Sequence, residues 1–183
     1  MTRKDHMKLW AVVATCLTVW CGCSVGRHHA RDSVLEARFF QHRSEFENLL
    51  RDMQSDQKLR AVRADVLIYD GHRFNLREAG NAAAIETAGL TRQRLARYQE
   101  ALAELGLDGV MQGHGEVEFR TDKESFSNGD SHKGYVFRMS PPDHVLSSLD
   151  GYRISENDKN PDGDWIVYKA LADHWYLYLF VNR

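Results

Sequence analysis

Residues 115–121 read Gly115-Glu116-Val117-Glu118-Phe119-Arg120-Thr121, and at this stretch the apolar period changes from 3.6 residues to 2. Val117, Phe119 and Thr121 alternate with Glu116, Glu118 and Arg120, the pattern of a strand with one buried and one wet face. Tyr135, Phe137 and Met139 alternate with Val136 and Arg138 in the same way. Pro141-Pro142 ends that run, because proline cannot donate to a ladder. Asn128-Gly129 marks a turn between the two runs, inside a connection too long for a tight hairpin. Further on, residues 143–149 predict a short helical turn and residues 158–164 a polar loop. Residues 165–171 and 175–181 form the last hairpin.

Upstream of Gly115 the period is helical. Ser33 followed by Glu36 has the S-x-x-E spacing of a capping box. Leu35, Phe39, His42, Phe46, Leu49 and Met53 then recur at steps of four and three, which predicts one amphipathic helix with His42 as a hydrogen-bonded member of the core face. A second helix is marked at both ends. Leu90 and Leu95 make a staple around Thr91 as N-cap, Leu95, Tyr98, Leu102 and Leu105 share a face, and Gly106 stops it. Arg92, Arg94 and Arg97 are followed by Glu100 and Glu104, so this face reads as solvated ion pairs. Residues 58–90 are the least readable part, with strand composition over 64–69 and a turn signal at Asp70-Gly71. The expected fold is α+β: N-terminal helices packed on one face of an antiparallel sheet of about four strands, as a single domain over residues 33–183.

The chain has 183 residues, 43% hydrophobic and 27% charged, which excludes collagen, a wholly disordered chain and a polytopic membrane protein. A net charge of −2 leaves no basic footprint, so no nucleic-acid partner is expected. Residues 1–22 read as an export signal: Arg3, Lys4 and Lys8 precede an uncharged run over 9–20. As a helix that run is about 18 Å long, too short for a hydrocarbon core of about 30 Å. Gly22-Cys23-Ser24 resembles the end of a bacterial lipoprotein signal, the lipobox, with Trp20 and Cys21 where that family usually has Leu and a small residue. The resemblance implies lipid attachment at Cys23, a periplasm-facing membrane anchor, and residues 23–32 as a flexible tether. Ser24 after the lipid-bearing cysteine, where the inner-membrane signal has Asp, implies the outer membrane. The three cysteines, at 16, 21 and 23, all lie in this segment. No intrachain disulfide and no catalytic or metal-binding thiol is therefore expected in the mature chain. Cleavage removes three cations and one anion, taking the charge from −2 to −4.

Motifs that carry chemistry are sparse. Asp158, Asn160, Asp162 and Gly163 match the first half of a calcium loop, but position 12 is Lys169, a cation where the bidentate acid belongs. Asp130, Ser131 and His132 are sequence neighbours, a placement that does not make a triad. Glu116 and Glu118 read as a solvated strand face rather than a glycosidase pair. His28-His29 falls in the tether. No catalytic residue, metal ligand or cofactor motif emerges, and the chain reads as a non-enzyme.

Across an even-length turn the last hairpin places Ile166, Tyr168 and Ala170 with Trp175, Leu177, Leu179 and Val181, the expected core face. Trp165, Tyr176, Tyr178 and Phe180 fall on the opposite face, with Val167 and Lys169 among them, and form the candidate binding face. Ser131-His132-Lys133-Gly134-Tyr135, Pro141-Pro142 with Leu149-Asp150-Gly151-Tyr152, and Trp175-Tyr176-Leu177-Tyr178 resemble a family of small proteobacterial lipoproteins. That likeness implies an envelope location and lends no catalytic residue. The expected function is a lipid-anchored envelope protein that binds an envelope partner, or plays a structural part, through the aromatic face. Two alternatives stand beside it. One is a periplasmic hydrolase or metal enzyme built from His114, His132, His144 and His174; the other is an immunity-type lipoprotein.

Overall fold

The stripe from Leu35 to Met53 is buried wherever it is apolar: Leu35, Phe39, Phe46, Leu49 and Met53 all lie in the core. In the computed structural model, which describes residues 29–78, 80–126, 129–152 and 164–182, it runs over two helices instead of one. These are α1 (Asp32–Gln41) and α2 (Arg43–Ser55). They meet at a half-buried His42, where the backbone opens to φ −118° and ψ 30°. The His42 amide still donates to Arg38 O at 3.0 Å and His42 O accepts from Phe46 at 3.1 Å, so the stripe stays in phase.

The capping box at Ser33 does not form. Helix α1 begins one residue earlier, at Asp32, because both acidic side chains of its first turns are engaged elsewhere, Asp32 with Lys133 and Glu36 with Lys169. Its N-terminus is capped from afar: the Asp32 amide donates to the two carboxylate oxygens of Asp150 at 3.0 and 3.2 Å. Two more helices follow, α3 (Asn81–Thr87) and α4 (Arg92–Leu105). In α4 the expected caps are in place. Thr91 Oγ1 accepts from the Arg94 amide at 3.2 Å, and Gly106 is left-handed at φ 62°.

Among the described residues the sheet has eight strands, twice the expected number. They are β1 (Leu59–Arg63), β2 (Val66–Tyr69), β3 (His72–Asn75), β4 (Gly109–Gly113), β5 (Glu116–Phe126), β6 (Gly129–Arg138), β7 (Trp165–Ala172) and β8 (Trp175–Asn182). Their order is β3-β2-β1-β4-β5-β6-β8-β7, with every neighbouring pair antiparallel. Strands β1 to β4 are four or five residues long, too short for a period of 2 to stand out from its flanks. Two of their connections are two-residue turns with positive φ at both positions. Asp70 and Gly71 have 50° and 78°, and His114 and Gly115 have 50° and 83°.

Three further readings are corrected. Strands β5 and β6 pair as far as Phe126 with Gly129, so the paired strands reach further than the long connection expected. Residues 143–149 are not helical; the Leu146 amide donates to Tyr168 O at 2.7 Å and the Tyr168 amide to His144 O at 2.9 Å. Strand β7 is a sheet edge, and this segment satisfies its open backbone groups at Tyr168. Finally, β7 carries an extra residue between Ala170 and Ala172. The bulge at Leu171 slips the pairing by one residue and exchanges the faces of everything upstream on β7. Trp165, Val167 and Lys169 therefore lie toward the helices with Leu177 and Leu179, while Ile166, Tyr168 and Ala170 join Tyr176, Tyr178 and Phe180. Residues 1–28, with Cys23, and residues 158–163 of the half calcium loop lie outside the described residues.

Candidate functional site

The helices pack on the side of the sheet that carries Val117, Phe119, Tyr135, Leu177 and Trp165. On the opposite, outer side, Val136, Tyr168 and Tyr178 are buried as a second cluster, with Ile166, Tyr176 and Phe180 packed around them and half-buried. Of the four residues expected to form a binding face, Trp165 lies on the helix side at 5% exposure and Tyr178 is buried at 1%. Tyr176 and Phe180 are the two that retain ring surface on the outer side.

The outer face also holds charged groups that alternation had assigned to water. Arg138 lies over the Tyr168 ring, 5.1 Å from its centroid, and its Nε is 3.0 Å from Glu116 Oε2. His132 stacks on Phe180 at 5.3 Å and 14°. Burial, with Arg120 nearby, pushes the His132 imidazole down to about 4, so it is neutral near pH 7. Glu116 and Glu118 are half-buried rather than solvated, and burial together with Glu116 pushes the Glu118 carboxyl up. Arg120 is buried and shares the Asp108 carboxylate with Arg63, at 2.9 and 3.7 Å. The result is an aromatic centre rimmed by charges already paired with one another.

A second polar constellation lies on the helix side, at the N-terminus of α1. Asp32 and Lys133 are both 2% exposed. Lys133 Nζ donates to Ala30 O at 2.8 Å and to Asp150 Oδ1 at 3.0 Å, and forms an ion pair with Asp32 Oδ1 at 2.7 Å. Asp32 Oδ2 accepts from the Leu149 amide at 2.8 Å and from Ser148 Oγ at 3.0 Å. Burial raises the Asp32 carboxyl, but Lys133 and these donors outweigh it and hold it at about 2. Lys169, the cation at the calcium-loop acid position, ties β7 to α1 through Glu36.

Beside this network His29 bridges two strands. Its Nδ1 is 2.6 Å from Asp122 Oδ1 and its Nε2 is 2.8 Å from Ser131 Oγ. The Asp122 carboxyl also accepts from the Lys133 amide at 3.3 Å and the Ala30 amide at 3.4 Å. Burial raises it, and the His29 contact with these amides more than offsets that, so it is held below its usual range. The folded domain thus takes in residues 29–32, which the sequence assigned to the tether. Sequence separations of 93 and 102 residues hide the arrangement from any motif search. The neighbours Asp130 and His132 face the other side of the sheet, with His132 Nε2 3.7 Å from Asp130 Oδ1.

The four histidines of the alternative enzyme reading sit on four separate elements: His114 in the β4–β5 turn, His132 on β6, His144 beside β7 and His174 in the β7–β8 turn. Among the described residues no group of three His, Cys, Asp or Glu could hold a metal ion. Also among these residues, no helix is long and apolar enough to cross a membrane. Comparison with protein-family models, with curated proteins and with solved structures finds no match.

Proposed function

We propose that the chain is a lipid-anchored binding module of the cell envelope. In this reading Cys23 carries the lipid and the domain faces the periplasm, at the outer membrane. The outer sheet face around Tyr176 and Phe180 engages an envelope protein. The observation that carries the binding role is the second cluster: aromatic rings are gathered on the side of the sheet away from the helices, with two of them still half-exposed. Aromatic surface of this kind, flanked by Arg138 and His132, suits a protein surface better than a small ligand.

Site-specific photo-crosslinking in the native host tests this. A benzophenone side chain at 176 or 180 should yield one defined adduct. The same group at Val34 or Phe40, 49% and 56% exposed on α1, should not. Equal adducts from both faces, or none from 176 and 180, reject the face. The Tyr176→Ser/Phe180→Ser pair should lower adduct formation from a neighbouring probe at Ile166 while the fold survives. Tyr178→Ser is unsuitable as a binding variant, because it removes a buried ring.

A further inference from the structure

We infer that Ser131, His29 and Asp122 form an activated-serine site that takes the acyl group of a small carboxylic ester. The site lies on the helix side of the sheet and stands independently of the outer-face reading. Its geometry is that of an acyl-transfer relay, with the carboxylate on Nδ1 at 2.6 Å and the hydroxyl on Nε2 at 2.8 Å. Asp122, held ionised, can only accept, so the proton of a neutral His29 imidazole resides on Nδ1. Nε2 then presents a lone pair, and the Ser131 hydroxyl must donate to it. A base needs that polarity to take the proton from a nucleophile. Asp122 is in turn fixed by the Ala30 and Lys133 amides, so the third member is itself oriented.

The reaction balances with water as the one co-reactant. Ser131 Oγ bonds to the carbonyl carbon while its proton passes to His29 Nε2. The ester C–O bond breaks and the alcohol leaves with that proton. Water then attacks the acyl-Ser131, gives a proton to Nε2 and releases the acid, and Ser131 Oγ recovers its proton. Ser131 is buried on β6, the central strand of the β5–β6–β8 ladder, two residues from the start of that strand and opposite Glu124 and Val181. Its strand has no sharp turn to present a pair of amide donors to an oxyanion. Lys133, two residues along the same face, is held away by its hydrogen bonds to Ala30 O and Asp150 and its ion pair with Asp32. With Ser131 8% exposed, acylation is expected only from small activated esters, whose leaving group needs little help, and the acyl-Ser131 alkyl ester then turns over more slowly still.

The experiment uses the full chain and a fluorophosphonate probe, with peptide mapping by mass spectrometry, alongside the burst of p-nitrophenol from p-nitrophenyl acetate. The wild type should carry the phosphonate on Ser131, and Ser131→Ala should lose both label and burst. Asp122→Asn keeps a hydrogen bond to His29 but favours the wrong tautomer, and should slow labelling at least tenfold with little change in Tm. His29→Gln keeps a polar clasp between Asp122 and Ser131 without a base, and should do the same. A wild type that is unlabelled at Ser131 overturns the proposal without reference to any variant. So does a His29→Gln chain that labels as fast as the wild type, which would leave His29 as a clasp alone.

Discussion

Replacing Lys133 with Met tests the polar network that joins α1 to the sheet. The substitution preserves the length of the side chain but removes the ammonium from a site where both it and Asp32 are 2% exposed. Asp32 keeps the Leu149 amide and Ser148 hydroxyl, and Lys169 Nζ is 3.5 Å away, so its charge is partly compensated. Ala30 O loses its donor and Asp150 loses a cation. Removing one partner of a buried pair costs about 3–5 kcal/mol, and the remaining donors place this case near the lower end, about 3 kcal/mol. In a domain of this size that lowers Tm by roughly 6–12 °C. The assay is urea unfolding followed by fluorescence, for Lys133→Met, Asp32→Asn and the double variant. The double variant should be about 2 kcal/mol more stable than the sum of the singles predicts, because it leaves no unpaired charge. The pH dependence has a definite sign. Asp32 falls from 3.8 to about 2 on folding, so its contribution is present above pH 4 and is lost as pH falls toward 2. Lys133→Met should flatten that acid limb. A cost below about 1 kcal/mol for Lys133→Met, or strict additivity in the cycle, refutes the argument that the pair is energetically coupled.

Three other outcomes follow from single features. Gly134→Ala would place a Cβ 2.2 Å from Phe119 O, a backbone atom in a paired strand, so it should cost at least about 3 kcal/mol in the same urea assay. Thr91→Ala removes the α4 cap and should cost about 1 kcal/mol, read as a shift in urea midpoint at constant slope. His132 is pushed from 6.5 down to about 4, so between those values the unfolded chain binds the extra proton and stability falls as pH drops from about 6.5 to 4. His132→Gln should remove that slope from a pH series of Tm values, and an unchanged slope contradicts the assignment.

Much of this architecture is visible in the residues themselves. The period of Leu35, Phe39 and Phe46, the caps at Thr91 and Gly106, and the alternation about Val117, Phe119 and Tyr135 all reappear as buried faces. Short elements left a faint signal: β1 to β4 offer too few alternations, and only the strand composition over 64–69, which is β2, and the Asp70-Gly71 turn announce any of them. The misassigned face of β7 has a sharper cause. One unpaired residue at Leu171 moves Trp165 from one side of the sheet to the other, and no composition rule foretells a bulge. Polar pairings were hidden for another reason. Asp32 meets Leu149 and His29 meets Ser131 across more than a hundred residues, so only the tertiary fold brings them together.

His29 also fixes where the chain leaves the domain. It is held against β5 and β6 near the end where Phe126 pairs with Gly129. If the proposed lipid is on Cys23, six Cα steps separate it from His29, a distance of at most about 21 Å. A domain of this size has a radius of gyration near 15 Å. Under the same proposal its far side would lie within roughly 60 Å of the bilayer. On the proposed reading, a partner would be met close to the membrane surface, because so short a connection keeps the domain there.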